Sequence, residues 1–163
     1  MSCRELAGGG SSLVSVRVLA VDLGSRRIGF AVSDPLGLTA QGLPSLERRG
    51  DPVAQVLEVC QEWDAASIVV GLPLNMNGSR GPAAVAAEAF AADLQVRAGG
   101  VAAPGVGYPT VTLWDERLSS VSAEKVLIEA GISRQRRRRR GLVDRGAATV
   151  FLQTYLDRMR PRA

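Results

Sequence analysis

The spacing of apolar positions along the chain switches repeatedly between a period near 2 and a period near 3.6, and each switch predicts a change of element. Residues 16–23 alternate and then run apolar, as a strand does; Gly24 to Arg27 turns the chain, and residues 28–33 return as a second strand. Asp34-Pro35 marks a turn, and residues 43–46 give a short third strand, so the chain opens as an antiparallel meander. Asp51-Pro52 reads as a helix cap followed by proline at the first helical position. Val53, Val56, Leu57 and Cys60 then recur at helical spacing to about Trp63.

Residues 67–70 form a short β-branched run, predicted to be a strand buried on both faces and ended by Gly71. A polar loop, LPLNMNGSRG, follows it. Pro82 opens an alanine-rich helix to about Ala98, and residues 99–109 are a Gly/Pro-rich surface loop. Residues 111–114 are the next strand, residues 122–130 a helix stopped by Gly131, and a last helix runs from about Asp144 to Met159.

Three strands followed by strands that alternate with helices predict an α/β domain. Its mixed five-stranded sheet has three antiparallel strands and then parallel ones, with helices on both faces and right-handed crossovers. At 163 residues one domain is expected, spanning 16–160 behind a flexible Gly/Ser-rich tail at 1–15.

Composition narrows the chemistry. Aromatics are 4%, which argues against a nucleic-acid site built as a row of stacking rings. There is no histidine, which excludes Ser/His/Asp and Cys/His catalysis and histidine-ligated zinc, and leaves carboxylates as the groups for acid, base or metal work. The net charge is +4, but six arginines stand at positions 134 and 136–140, and without them the balance turns negative, so the basic character is local. Cys60 lies on an apolar helical stripe and reads as core. No run approaches a membrane span, and the N-terminus lacks an apolar leader region. A cytoplasmic protein in a reducing compartment is therefore expected, or a plastid or mitochondrial one in a eukaryote.

Four acids fall at strand ends or helix starts: Asp22, Asp115, Glu116 and Asp144. Asp22 sits among core-building residues, where an unpaired charge is costly. Asp144 shares a helical face with Ala147, Ala148, Phe151, Leu152 and Tyr155, the stripe that must pack on the sheet, although an aspartate there also serves as an ordinary helix cap. Converging carboxylates repel, by about 4 kcal/mol for two charges ~4 Å apart at an effective dielectric of ~20. A divalent cation removes that penalty, and an oxygen-only donor set suits Mg²⁺ or Mn²⁺. Successive side chains on a strand alternate, so one of Asp115 and Glu116 is expected to be a ligand and the other to pair with Arg117 or backbone; spacing does not choose between them.

Four blocks, VDLGSRRIGFAVSDPLGLTAQ, IVVGLPLNMNGSRGP, LWDERLSSVSAEKVLIEAG and VDRGAATVFLQTYLD, together resemble the YqgF/RuvX family over roughly residues 16–156. These are the pre-16S ribosomal RNA nucleases of the RNase H-like superfamily, relatives of the RuvC Holliday junction resolvase. The resemblance implies an RNase H-like fold and metal-dependent phosphodiester hydrolysis in structured RNA, at the 5′ end of the 16S precursor. It matches Asp22, Glu116 and Asp144 to the family's acidic metal ligands, with Asp115 less favoured. Departures from the pattern are the Gly/Pro loop at 99–109, the density of the arginine run, and Gly146 inside the last helix.

Around those acids, Gly24, Ser25, Arg26 and Arg27 can bring backbone and guanidinium groups to a phosphate, the bland reading being a hairpin with exposed arginines. Asn75, Asn77, Ser79 and Arg80 occupy the loop after a buried strand, where ligand loops gather in α/β sheets. Arg117 and the run containing Arg136, Arg137 and Arg138 complete the expected nucleic-acid contacts. Six arginines on single-stranded RNA would give a log-log salt slope of about −4.

The expected partner is precursor rRNA, with ribosomal precursor particles, and the protein a monomer or homodimer. The rival readings are a resolvase acting on branched DNA, a catalytically silent nucleic-acid-binding module, and an actin-like ATPase; the last needs two lobes where this chain has one.

Overall fold

The computed structural model describes residues 17–99, 109–118 and 142–161, with residues 142–145 described as backbone alone. Strand β1 (Val18–Leu23) and β2 (Arg27–Ser33) pair antiparallel through the tight turn closed by Gly24 N donating to Arg27 O, and β3 (Ala40–Glu47) pairs antiparallel with β2. Helix α1 (Pro52–Glu62), β4 (Ser67–Leu72), helix α2 (Pro82–Ala98) and β5 (Thr110–Asp115) follow, and β4 runs parallel to both β1 and β5. The strand order is β3-β2-β1-β4-β5. This is the RNase H-like arrangement that the sequence led us to expect.

The period-2 pattern divides the core between the faces of the sheet. Leu19, Val21, Ile28, Phe30, Val32, Ile68 and Val70 face the side covered by α1 and α2, where Val53, Val56, Leu57, Cys60, Phe90 and Leu94 meet them. Val18, Ala20, Ala31 and Val69 face the other side and pack on Ala148, Phe151, Leu152 and Leu156 of helix α3 (Leu142–Met159). Cys60 is core as expected: it is 4% exposed, and burial pushes its thiol up to about 11.

Polar contacts lock the layers in place. Asp51 caps α1 through Ala54 N, and Arg97 near the end of α2 grips the same carboxylate at 2.8 and 2.7 Å. The Arg97 guanidinium, with the cap, holds the Asp51 carboxyl down at about 2. On the opposite face Gln153 of α3 accepts from Ala40 N and donates to Leu38 O, which fixes the start of β3.

Several predicted boundaries move. The third strand is longer than residues 43–46, because hydrogen bonding to β2 carries it from Ala40 to Glu47, and the added Gln41, Gly42 and Glu47 are exposed positions that apolar periodicity does not score. Gly71 does not end β4: it pairs with Trp114, and the strand continues to Leu72. The last helix starts at Leu142, two residues before Asp144. The helix expected at 122–130, the interior of the 99–109 loop, the arginine run and the tail at 1–15 lie outside the described residues.

Candidate active site

Asp22 is in the interior of β1, paired with Gly29 of β2. Its parity is that of Val18 and Ala20, so it belongs to the face covered by α3. On the far side of β1 the register Val21↔Val70 leads one step further to Gly71. The carboxylate therefore stands in a row flanked by glycines on both neighbouring strands.

Glu116 reaches the same place from β5. Its N–H donates to Leu72 O at 3.1 Å, one residue past the end of the strand, so the alternation of β5 extends through it. Trp114 packs on the α3 face, and Glu116, two residues on, shares that face while Asp115 points to the other. The Glu116 carboxyl comes within hydrogen-bonding reach of Asp22. Burial, first, and then the Asp22 charge and hydrogen bond push its pKa from 4.5 up to about 7.

Asp115 is committed elsewhere. Arg117 donates to it from Nη2 at 2.7 Å, from Nε at 3.1 Å to both oxygens, and from its backbone N at 3.0 Å, and this guanidinium lowers the Asp115 pKa. Of the two adjacent acids left open by spacing, Glu116 is the one beside Asp22.

Asp144 is the third residue of α3 and stands four residues before Ala148, which is fully buried against the sheet. Its side chain lies outside the described residues, as do Arg136, Arg137 and Arg138. Among the described residues the acids brought together are the pair Asp22 and Glu116, and no group of three metal-ligating side chains is found there.

A cavity of about 220 Å³ opens beside Asp22, lined by Gly24, Ser25, Arg26, Arg27 and Gly29. Arg27 Nε donates to Ser45 Oγ at 3.1 Å and Arg48 Nη1 to Gly24 O at 3.2 Å, so cationic groups surround the turn. The loop after β4 is closed on itself. Asn75 N donates to Ser79 O, Asn75 Nδ2 to Ser79 Oγ, and Ser79 N to Asn77 Oδ1, each at 2.9 Å. Arg80 pairs with Glu88 at 3.2 Å. Gly78, at φ +83°, faces Arg117: a Cβ there would lie 3.4 Å from Nη1, so the loop abuts the Asp115–Arg117 pair next to Glu116. The residue that sequence reasoning missed is Gly71; its only signal was a glycine where a buried strand calls for a β-branched side chain.

The family model described as RuvX, Holliday junction resolvase, matches residues 16–158. A protein of Syntrophomonas wolfei named "Putative pre-16S rRNA nuclease" is 48% identical over 144 residues, covering 87% of this chain and 94% of the relative. One of the same name from Pelotomaculum thermopropionicum is 46% identical over 151 residues, covering 90% and 91%. Among solved structures, RuvC of T. thermophilus in complex with a Holliday junction substrate is 19% identical, with a TM-score of 0.48 over 88% of this chain and 96% of that one. The extent of the family match and the identity to these relatives show that the chain belongs to the RuvX family of nucleases.

Proposed function

We propose that this protein hydrolyses phosphodiester bonds in structured RNA with a divalent cation, Mg²⁺ or Mn²⁺, held by Asp22, Glu116 and Asp144. The substrate we assign is the 5′ end of the 16S rRNA precursor. The observation that carries the reading is the meeting of Asp22 and Glu116 on one face of the sheet. Two carboxyls in a half-buried site share a proton or a cation, since both charges together are unfavourable. Their donors are hard oxygens, no histidine exists in the chain, and the residues present therefore fit Mg²⁺ or Mn²⁺.

When bound, such a cation neutralises the carboxylates, activates water and stabilises charge on the phosphate. The chain supplies the rest. β1 and the end of β5 hold two ligands in fixed register, and α3 carries Asp144 on the same side of the sheet. Arg26 and Arg27, with the Gly24–Ser25 backbone, offer donors to a phosphate in the adjoining cavity. Arg117, held by Asp115, and the Asn75–Arg80 loop flank the opposite side and are assigned to the nucleic-acid backbone. The names of the relatives support precursor rRNA as the substrate, while the family description supports branched DNA as the second reading. Cleavage of both substrates with and without cation, by the wild-type chain and Asp22→Asn, tests the assignment.

A further inference from the structure

Gly71 is buried inside β4, between Val70, which is fully buried, and Leu72. A glycine there gives up side-chain packing and costs backbone entropy on folding, so the position asks for a reason. Conformation is not the reason, because Gly71 is not among the glycines with positive φ and its pairing with Trp114 is regular. Space is. A Cβ built on Gly71 would overlap Glu116 Oε1 and lie 3.0 Å from both Cδ and Cγ of the same side chain, and these are the three nearest atoms it would meet.

The Glu116 side chain therefore lies across the bare Cα of Gly71. Asp22 on β1 and Glu116 beyond β5 belong to strands that are not neighbours, with β4 between them. A side chain on the intervening strand, on the same face, would stand between the two carboxyls.

We propose that Gly71 is a positioning residue: by leaving the α3 face of β4 bare, it lets Glu116 cross that strand to Asp22 and complete the cation site. The inference rests on the reading of Asp22 and Glu116 as cation ligands. It assigns to Gly71 no contact with substrate, and it predicts that the smallest added side chain uncouples the two acids while the sheet still forms.

The test is thermal unfolding of the full-length protein titrated with MnCl₂, which reads cation binding without reference to cleavage. In Gly71→Ala the Mn²⁺ concentration giving half the stabilising shift should rise by about 10-fold or more, as for other residues that orient ligands. The far-ultraviolet circular dichroism should stay that of the wild type. An unchanged Mn²⁺ midpoint overturns the proposal.

If Gly71→Ala folds poorly, adding Glu116→Ala removes the overlapping atoms, and the loss of unfolding temperature caused by Gly71→Ala should then be much smaller than in the wild-type background. An equal loss in both backgrounds overturns the proposal. Asp22→Asn and Glu116→Gln separate the two levels of inference. Should they lose the Mn²⁺ response while Gly71→Ala keeps it, the role of Gly71 alone falls. Should they keep it, the cation site itself falls and Gly71's role with it.

Discussion

The carboxyl groups of Asp22 and Glu116 lie within hydrogen-bonding reach of each other although they sit on strands separated by β4. Their neighbour Asp115 faces away and is gripped by Arg117. Two adjacent acids in one DER sequence thus have opposite environments, and substitution should separate them. Glu116→Gln should abolish the Mn²⁺-induced rise in unfolding temperature. Asp115→Asn should keep that rise and lower cleavage by about 10-fold, through loss of the charge-assisted hold on Arg117. Thermal-shift titration and single-turnover cleavage on the two variants check this split.

The same pair sets a pH dependence in the metal-free protein. Glu116 holds its proton more tightly in the folded chain than in the unfolded one, with a pKa of about 7 against 4.5. The stability it contributes is therefore full below about pH 4.5 and is lost as pH rises through about 7. Urea denaturation in EDTA should show the wild type losing stability across this window. Glu116→Gln should lose less, and a wild-type slope in that variant would assign the effect to another group.

Helix α3 offers a stabilising change. Gly146 lies within it, and among the described residues a Cβ built there meets nothing within 4 Å. Gly146→Ala should stabilise the protein by about 0.5–1 kcal/mol, by removing backbone freedom from the unfolded chain. The midpoint of chemical denaturation measures it.

The packing that holds α3 to the sheet combines aliphatic residues with Phe151 and the edge-to-face pair of Trp114 and Tyr155. Leu152 is fully buried in the cluster that Val18, Ala20, Ala31 and Val69 of the sheet form with Ala148, Phe151 and Leu156 of the helix. Leu152→Ala should cost about 2–5 kcal/mol. Because α3 carries Asp144, the surviving folded fraction should also bind Mn²⁺ less tightly, which the same titration reads.

The elements that announce themselves locally were legible in the sequence. β1 and β2 alternate, α1 has an apolar stripe behind the Asp51 cap, α2 opens at Pro82 as an alanine-rich run, and the structure moves their ends by little. What depends on pairing was less visible. β3 owes most of its length to hydrogen bonds with β2, and its exposed polar residues carry no apolar signal. Gly71 was misread as the end of a strand, because a glycine weakens strand propensity locally while Trp114 across the ladder keeps the strand going.

At the site, Asp22 stood out as a charge among apolar residues, and alternation required Asp115 and Glu116 to diverge. Which of them turns toward Asp22 depended on the β4–β5 register and on Trp114 packing under α3, both long-range facts. The positions of Arg26, Arg27 and Ser25 beside Asp22 followed directly from the tightness of the β1–β2 turn.

If Asp22, Glu116 and Asp144 hold a cation for RNA hydrolysis, cleavage must depend on both the cation and Asp22. The most direct measurement is cleavage, with Mg²⁺, Mn²⁺ or EDTA, of a 5′-extended 16S precursor RNA, an unrelated structured RNA and a four-way DNA junction. Wild type and Asp22→Asn are compared throughout. Cation-dependent cleavage of the precursor RNA by the wild type is expected, reduced by about 100-fold or more in Asp22→Asn, which retains the fold. Cleavage by Asp22→Asn at the wild-type rate, or cleavage of the four-way junction alone, would contradict this assignment.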